Sequence, residues 1–260
     1  MASLPLLAPD EPHPVSLRRP HGRSAFLLTA DHAGRLIPRA LGTLGLPPRE
    51  RTRHIAWDIG IAGVTRRLSA SLEATALLQR YSRLVIDCNR PPEVPNAFPE
   101  ISDGTTIPAN TALSAAEKER RRRAIFDPYH AAIAAVLAER RAAGQPTIYV
   151  AMHSFTPVFG GEARKMHCAV LYNRHPRLSL ALAQRLRAEG DLIVAENAPY
   201  RVSDATDYGV PVHAEAAGLD YLEIEIRQDL ISRPAGQTAW AARLARLLPQ
   251  AARQIAEEHQ

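Results

Sequence analysis

Short apolar runs of strand length punctuate the chain at residues 24–30 (SAFLLTA), 74–78, 84–86, 147–152, 168–172, 192–195 and 221–226. They are continuous rather than cleanly alternating, the pattern of strands buried on both faces. Between them, apolar positions recur at helical spacing over 48–71, 114–143, 178–188 and 238–258. The helix from Ser114 opens on a capping box, Ser114-Ala-Ala-Glu117, and ends before Gly144. Buried strands interleaved with helices predict a single α/β domain, a mixed and largely parallel sheet flanked by helices on both faces. Residues 1–22 are proline-rich without a sustained period and are expected to form an irregular N-terminal arm, leaving 23–260 as the folded domain. Residues 91–108, rich in Pro, Asn, Asp and Gly, predict a long loop of the kind that carries function. No internal repeat or low-complexity linker divides the chain.

Composition narrows the class. Over 260 residues the chain is 46% hydrophobic and 23% charged, which fits a globular protein and argues against wholesale disorder. The longest uncharged apolar runs fall far short of the ~20 residues a bilayer span needs. The N-terminus shows no basic stretch followed by an apolar core, so neither membrane insertion nor secretion is expected. Only Cys88 and Cys168 occur, and neither belongs to a C-x-x-C. That usage suits the cytoplasm and excludes a disulfide scaffold or a cysteine-rich zinc module. The net charge is +5, and all the basic residues except Lys118 and Lys165 are Arg. The densest run, 117–123 (EKERRRR), includes acids and lies in a predicted helix, so it reads as a solvated face and no nucleic acid is expected. A basic nucleic-acid-binding module with a decayed site is the alternative from a different class.

Chemistry collects where strands are expected to end, which is where open α/β sheets bind ligands. One run leads into Asp31-His32-Ala-Gly34, another into Asp87-Cys-Asn89-Arg90, and the 147–152 run into His153-Ser154, while the last carries Glu223 and Glu225. These residue types suit a hydrolytic zinc site, in which imidazoles and a carboxylate bind the ion and an unligated Glu takes a proton from water. An Asn-Arg pair nearby would clamp a substrate carboxylate with the bidentate guanidinium fork. A serine nucleophile fits worse because there is no G-x-S-x-G, and no Gly-rich phosphate loop is present.

The ordered set Thr29-Ala-Asp-His32-Ala-Gly34, His54-Ile-Ala-Trp-Asp58-Ile-Gly60, Arg80-Tyr-Ser-Arg83, Asp87-Cys-Asn89-Arg90-Pro91, Met152-His153-Ser154-Phe155, Asn197-Ala-Pro199-Tyr200 and Glu223-Ile-Glu225-Ile-Arg227 resembles the N-formylglutamate amidohydrolase family. That family is similar to the zinc carboxypeptidases and aspartoacylases, so the resemblance implies a zinc-exopeptidase-like fold. It also implies His32 and His153 as metal ligands, Asn89 and Arg90 as the hold on the substrate carboxylate, and Glu225 as general base.

One ligand departs from the carboxypeptidase pattern, since Arg35 stands where His-x-x-Glu would place a carboxylate. Asp58 is the preferred replacement, on the expectation that His54 and Asp58 share one face of a helix. Asp31 is the runner-up, and His54 is a further candidate. Glu223 and Glu225 share one side of a strand, so spacing alone does not separate them. Arg227 on the same side either binds substrate or pairs with these acids, and Arg83, with Arg80, would add positive potential for an acidic substrate. The Asn197 to Tyr200 segment and His213 suggest a lid or pocket wall, while Ser154 is expected to support His153. His130, His167, His175 and His259 are read as structural or exposed.

The implied function is metal-dependent hydrolysis of an N-acyl amino acid, N-formyl-L-glutamate first, to formate and glutamate within amino-acid metabolism. The cofactor would be one divalent ion, zinc first with cobalt and manganese as alternatives. The partner would be a small N-acyl amino acid with a free carboxylate. The rival reading is the same site acting on another N-acyl amino acid or a short peptide.

Overall fold

The computed structural model describes residues 5–258, so His259 lies outside them. In chain order its first half comprises β1 (Val15–Arg18), β2 (Phe26–Ala30), α1 (Ile61–Leu72), β3 (Thr75–Gln79), β4 (Ile101–Ser102), β5 (Thr105–Thr106), α2 (Ala115–Arg121) and α3 (Asp127–Ala142). The second half comprises β6 (Ile148–Phe155), β7 (Val158–Phe159), β8 (Glu162–Ala163), β9 (Cys168–Leu171), α4 (Arg177–Ala188), β10 (Val194–Glu196), β11 (Asp220–Arg227) and α5 (Pro234–Glu257).

Seven strands form one mixed sheet in the order β1-β3-β2-β6-β11-β9-β10. Its centre, β3-β2-β6-β11, is parallel, and antiparallel pairings occur between β1 and β3 and between β11 and β9. The continuous apolar runs resolve into two faces once alternation along each strand is followed. Leu28, Ala30, Val150, Met152, Ile224 and Ile226 join one core with α1, α4 and α5. Leu27, Leu77, Tyr149, Ala151 and Tyr221 join the other, under α3 and the long loops. Burying one leucine or isoleucine side chain fully is worth about 1.5–3 kcal/mol, and both layers contain many with no exposure. His153 shares the face of Ala151, and Glu223 and Glu225 share that of Tyr221. His153, Glu223 and Glu225 therefore point to the second side, away from α1, α4 and α5.

Three expectations about local structure change. The 84–86 run is a buried turn, not a strand. Its side chains are as buried as a strand's, but partners outside a ladder satisfy its backbone: the Leu84 carbonyl accepts from Asn110 Nδ2 at 2.9 Å and the Val85 carbonyl from Arg121 Nη1 at 3.1 Å. Helix α1 begins only at Ile61, so 53–60 is an irregular approach and not a helix. Within the expected N-terminal arm, Val15–Arg18 adds an antiparallel edge strand against β3. The Ser114 cap is present, its Oγ accepting from the Glu117 N–H at 3.2 Å, and a π-helical turn over Arg122–Phe126 joins α2 to α3. Among the described residues no helix is long and apolar enough to cross a membrane.

His130 and His213 form a buried stacked pair, ring centroids 5.1 Å apart, with 2.9 Å between His130 Nδ1 and His213 Nε2. His130 Nε2 also lies 2.9 Å from the Cys88 carbonyl, so the pair props the segment that carries Asn89. Burial pushes His213 down to about 4, and burial with the His213 charge pushes His130 down to about 3. The unfolded chain, with imidazoles near ~6.5, then binds more protons than the folded one at mildly acidic pH. The pair's contribution is complete above that value and is lost as pH falls toward 4. Urea-denaturation midpoints are expected to fall between about pH 7 and about pH 5, and less steeply in His213→Gln. An identical acid limb in the variant would reject this role.

Candidate metal centre

The parallel strands β2, β6 and β11 end at one edge of the sheet, and the candidate residues meet there. Asp31 and His32 follow β2, His153 and Ser154 close β6, and Glu225 stands beside His153 in the parallel register of β11. Gly34 permits the turn after His32, since a Cβ there would fall 2.0 Å from the Arg80 carbonyl oxygen. That is far inside contact distance, so glycine is required for close backbone approach. Asp58 arrives from the irregular segment before α1, where its N–H donates to the His32 carbonyl at 2.9 Å. The expected i, i+4 helix face does not exist, and a backbone bond to the His32 loop brings Asp58 in instead. His54 does not accompany it. That ring stands farther out, with Nε2 3.2 Å from Asp103 Oδ2.

Among the described residues His32, Asp58 and His153, all buried, offer ligand atoms within 4.8 Å of one another. Asp58 Oδ1 lies 3.7 Å from His32 Nδ1, and Oδ2 lies 3.1 Å from His153 Nδ1. The far nitrogen of each imidazole faces a second carboxylate: His32 Nε2 is 2.7 Å from Asp87 Oδ1 and His153 Nε2 is 3.5 Å from Asp31 Oδ2. Asp31 is oriented in turn by the Tyr129 hydroxyl at 2.6 Å. This is the carboxylate–histidine arrangement that fixes ring orientation at metal sites. His32 Nδ1 is buried with no hydrogen-bond partner, a costly state for a polar atom unless a ligand completes it. Two imidazoles and a carboxylate are the donor set of a hydrolytic divalent-metal site, so the residues fit such an ion.

The electrostatics follow from this crowding. Burial alone would lower His153, but Glu223, Asp31 and Asp58 hold it well above its ordinary value. Burial and Arg83 would lower His32, but Asp87 and Asp58 raise it. Burial would raise Asp87, yet Arg83 and His32 hold it well below the usual carboxylate range. Arg83 grips Asp87 Oδ2 through Nε at 3.1 Å and Nη2 at 2.5 Å, with Nη1 3.7 Å from Asp58 Oδ1. Glu223 and Glu225 are both pushed up to about 8, by burial against the opposing pull of His153. Beyond burial, Asp58 raises Glu225, whereas Asp207 and the neighbouring Glu225 raise Glu223. Both glutamates are thus coupled to His153, and Glu225 also senses Asp58.

A cavity of about 500 Å³ opens above these groups, and Glu223, Glu225, Arg83, Asn89, Arg90 and Arg201 are among its lining residues. Asn89 is largely committed to the protein. Its Oδ1 accepts from the Tyr208 and Gly209 N–H groups at 3.1 and 3.0 Å, and Nδ2 donates to Asp207 at 3.3 Å, leaving one amide hydrogen free for a ligand. Arg90 donates to the Thr206 carbonyl and lies 3.7 Å from Asp207. Ser154 supports the centre, with its N–H on Asp58 Oδ2 and its hydroxyl on the Ile59 carbonyl, each at 3.0 Å. Arg227 and Arg80 do not line the cavity. Arg227 binds Asp229 and the carbonyls of residues 164–166, tying the segment after β8 to the end of β11.

Sequence reasoning missed the outer carboxylate Asp87, although it stands in the Asp-x-Asn-Arg segment, and gave Asp31 only the role of alternative ligand. It also missed Arg201, which follows the Asn197 to Tyr200 motif and has no carboxylate partner among the described residues.

The family model for N-formylglutamate amidohydrolase matches residues 24–232. A gene product of Agrobacterium tumefaciens, known from its crystal structure, is 38% identical over 96% of this chain and 99% of that one, with a TM-score of 0.92. The N-formylglutamate amidohydrolase of Ralstonia eutropha JMP134 shares the fold at 19% identity, covering 92% of this chain and 99% of its own, with a TM-score of 0.64. No curated protein matches.

Proposed function

Because the chain belongs to the N-formylglutamate amidohydrolase family, we propose that this amidohydrolase cleaves N-acyl amino acids carrying a free carboxylate, with N-formyl-L-glutamate as the first substrate and formate and L-glutamate as products. The observation that carries the reading is the convergence of His32, Asp58 and His153 beneath a cavity whose wall holds Glu225. A divalent cation held by these three residues, zinc by its donor set with cobalt and manganese as alternatives, supplies Lewis acidity toward water and the amide carbonyl.

The remaining chemistry belongs to the chain's own groups. Glu225 takes a proton from the attacking water as its oxygen bonds to the acyl carbon, and returns it to the amide nitrogen as the C–N bond breaks. Positive charge brought to the ligand set favours the ionised form of Glu225, which burial otherwise disfavours. Arg83, locked on Asp87, places a fixed cation beside the reacting carbonyl without having to reorganise. Arg90, Arg201 and the spare Asn89 N–H hold the substrate carboxylate.

Formate release from N-formyl-L-glutamate by zinc-loaded protein, abolished by a chelator and restored by the ion, tests the reading. Protein that binds the ion but releases formate from no N-formyl amino acid would reject it. Hydrogen bonds to charged groups are worth about 1.5–3 kcal/mol, so converting the substrate α-carboxylate to an amide is expected to lower kcat/KM by roughly 10- to 100-fold. Arg90→Lys should show a similar loss with the free acid, because an ammonium lacks the planar fork. Equal turnover of acid and amide would remove the clamp.

A further inference from the structure

The cavity has an apolar wall that neither a formyl group nor a glutamate side chain would use. Of the nine large hydrophobic side chains exposed among the described residues, Ile101, Phe159 and Tyr200 line this one cavity, at 67%, 41% and 40% exposure. Val158, beside Phe159 on β7, is 49% exposed. Exposed apolar groups gathered at a pocket, not scattered singly, mark a binding surface.

These side chains are held in place. The Arg164 guanidinium lies 4.9 Å from the ring centroids of both Phe159 and Tyr200 and 5.8 Å from that of Phe155, and Nη1 donates to the Tyr200 hydroxyl at 2.9 Å. Asp103, in the turn between β4 and β5, accepts from Arg53 Nη2 at 2.6 Å and from the Gly160 N–H at 3.1 Å. That second bond ties the β4–β5 hairpin to the β7–β8 hairpin, so Ile101 and Phe159 belong to one braced wall. The His54 ring adds to it, its centroid 6.2 Å from that of Phe159.

We propose that this wall is a subsite for a planar apolar group of the substrate, so that the preferred N-acyl amino acid carries an aryl group on one side of the scissile amide. The inference rests on the amidohydrolase reading and specifies its substrate class. An aryl group entering the wall would stack against rings already fixed by Arg164 and cover apolar surface that water otherwise wets. The group could belong to the acyl half or to the amino-acid side chain.

Zinc-loaded protein assayed with N-formyl-L-glutamate, N-formyl-L-phenylalanine and N-benzoyl-L-glutamate separates these sources. One aryl compound is expected to exceed N-formyl-L-glutamate in kcat/KM by about 10-fold or more, chiefly through KM, and its identity tells which half enters the wall. Phe159→Ala and Ile101→Ser should narrow that ratio. If both aryl compounds are turned over no better than N-formyl-L-glutamate, the subsite is wrong and the amidohydrolase reading stands. If no compound is turned over, that reading fails first, and calorimetric binding of N-benzoyl-L-glutamate and N-formyl-L-glutamate to wild type and Phe159→Ala decides the subsite. Equal affinities would overturn it.

Discussion

Alanine at His32 or at His153 is expected to remove the divalent ion and turnover together. Each imidazole is one of three buried groups whose ligand atoms converge within 4.8 Å, and losing a ligand leaves two donors and an opening for water. Loss of an outer hydrogen-bond partner typically costs 10–100-fold in metal affinity or activity, so loss of a direct ligand should exceed that range. The geometry supplies an internal scale. Asp87 supplies no ligand atom but orients His32, through the 2.7 Å contact to Nε2, and holds Arg83, and Asp87→Asn should fall within about 10–100-fold. Elemental analysis of the purified variants, with formate release assayed in parallel, reads both quantities. Full metal occupancy in His32→Ala would overturn the ligand assignment, and an Asp87→Asn loss equal to that of His32→Ala would make Asp87 more than an orienting group.

Glu225→Gln should keep the ion and the substrate but lose most of kcat, by about 10²–10⁴-fold, the usual contribution of a general base. Gln is nearly isosteric, so the wall of the cavity is preserved, and the variant removes one of two carboxyls that burial pushes up to about 8. A near-neutral value suits proton exchange at physiological pH, but Glu223 shares it, so proton affinity does not choose between them. Position does. Both glutamates sense the His153 charge, but Glu225 pairs in register with His153, whereas Glu223 pairs with Ala151, two residues back along the strand. Glu223→Gln is accordingly expected to cost much less. Single-turnover rates with metal content measured on the same samples separate the two, and a dead Glu223→Gln beside an active Glu225→Gln would exchange their roles.

Much of this candidate site was legible in the linear pattern because His32, His153 and Glu225 sit where strands end. A strand fixes the side its residues face through a period of two, so Glu223 and Glu225 could be placed on one side of a strand and His153 at the end of another, while the register that sets them side by side came from the fold. The same pattern gave the α/β class and the largely parallel sheet, since strands covered on both faces must be apolar nearly throughout. Asp58 was chosen for a different reason from the one that places it: helical spacing predicted a face shared with His54, while the fold uses a backbone bond from Asp58 N–H to the His32 carbonyl. Hydrophobicity likewise marked 84–86 as buried, which it is, but gave strand where the chain turns. Burial is a property of side chains, and whether the backbone beneath them forms a ladder depends on partners such as Asn110 and Arg121, 26 and 36 residues away.

The sequence by itself determined the residue types of the centre, the elements that carry most of them and the class of chemistry they support, because local periodicity and short motifs encode these. Tertiary structure alone decided which carboxylates stand against each imidazole, and that Arg227 turns away to brace a loop while Arg201 faces the cavity. Those outcomes depend on distances between segments far apart in the chain. They are set by how strand ends and loops pack against one another, and no spacing within a single segment reports that.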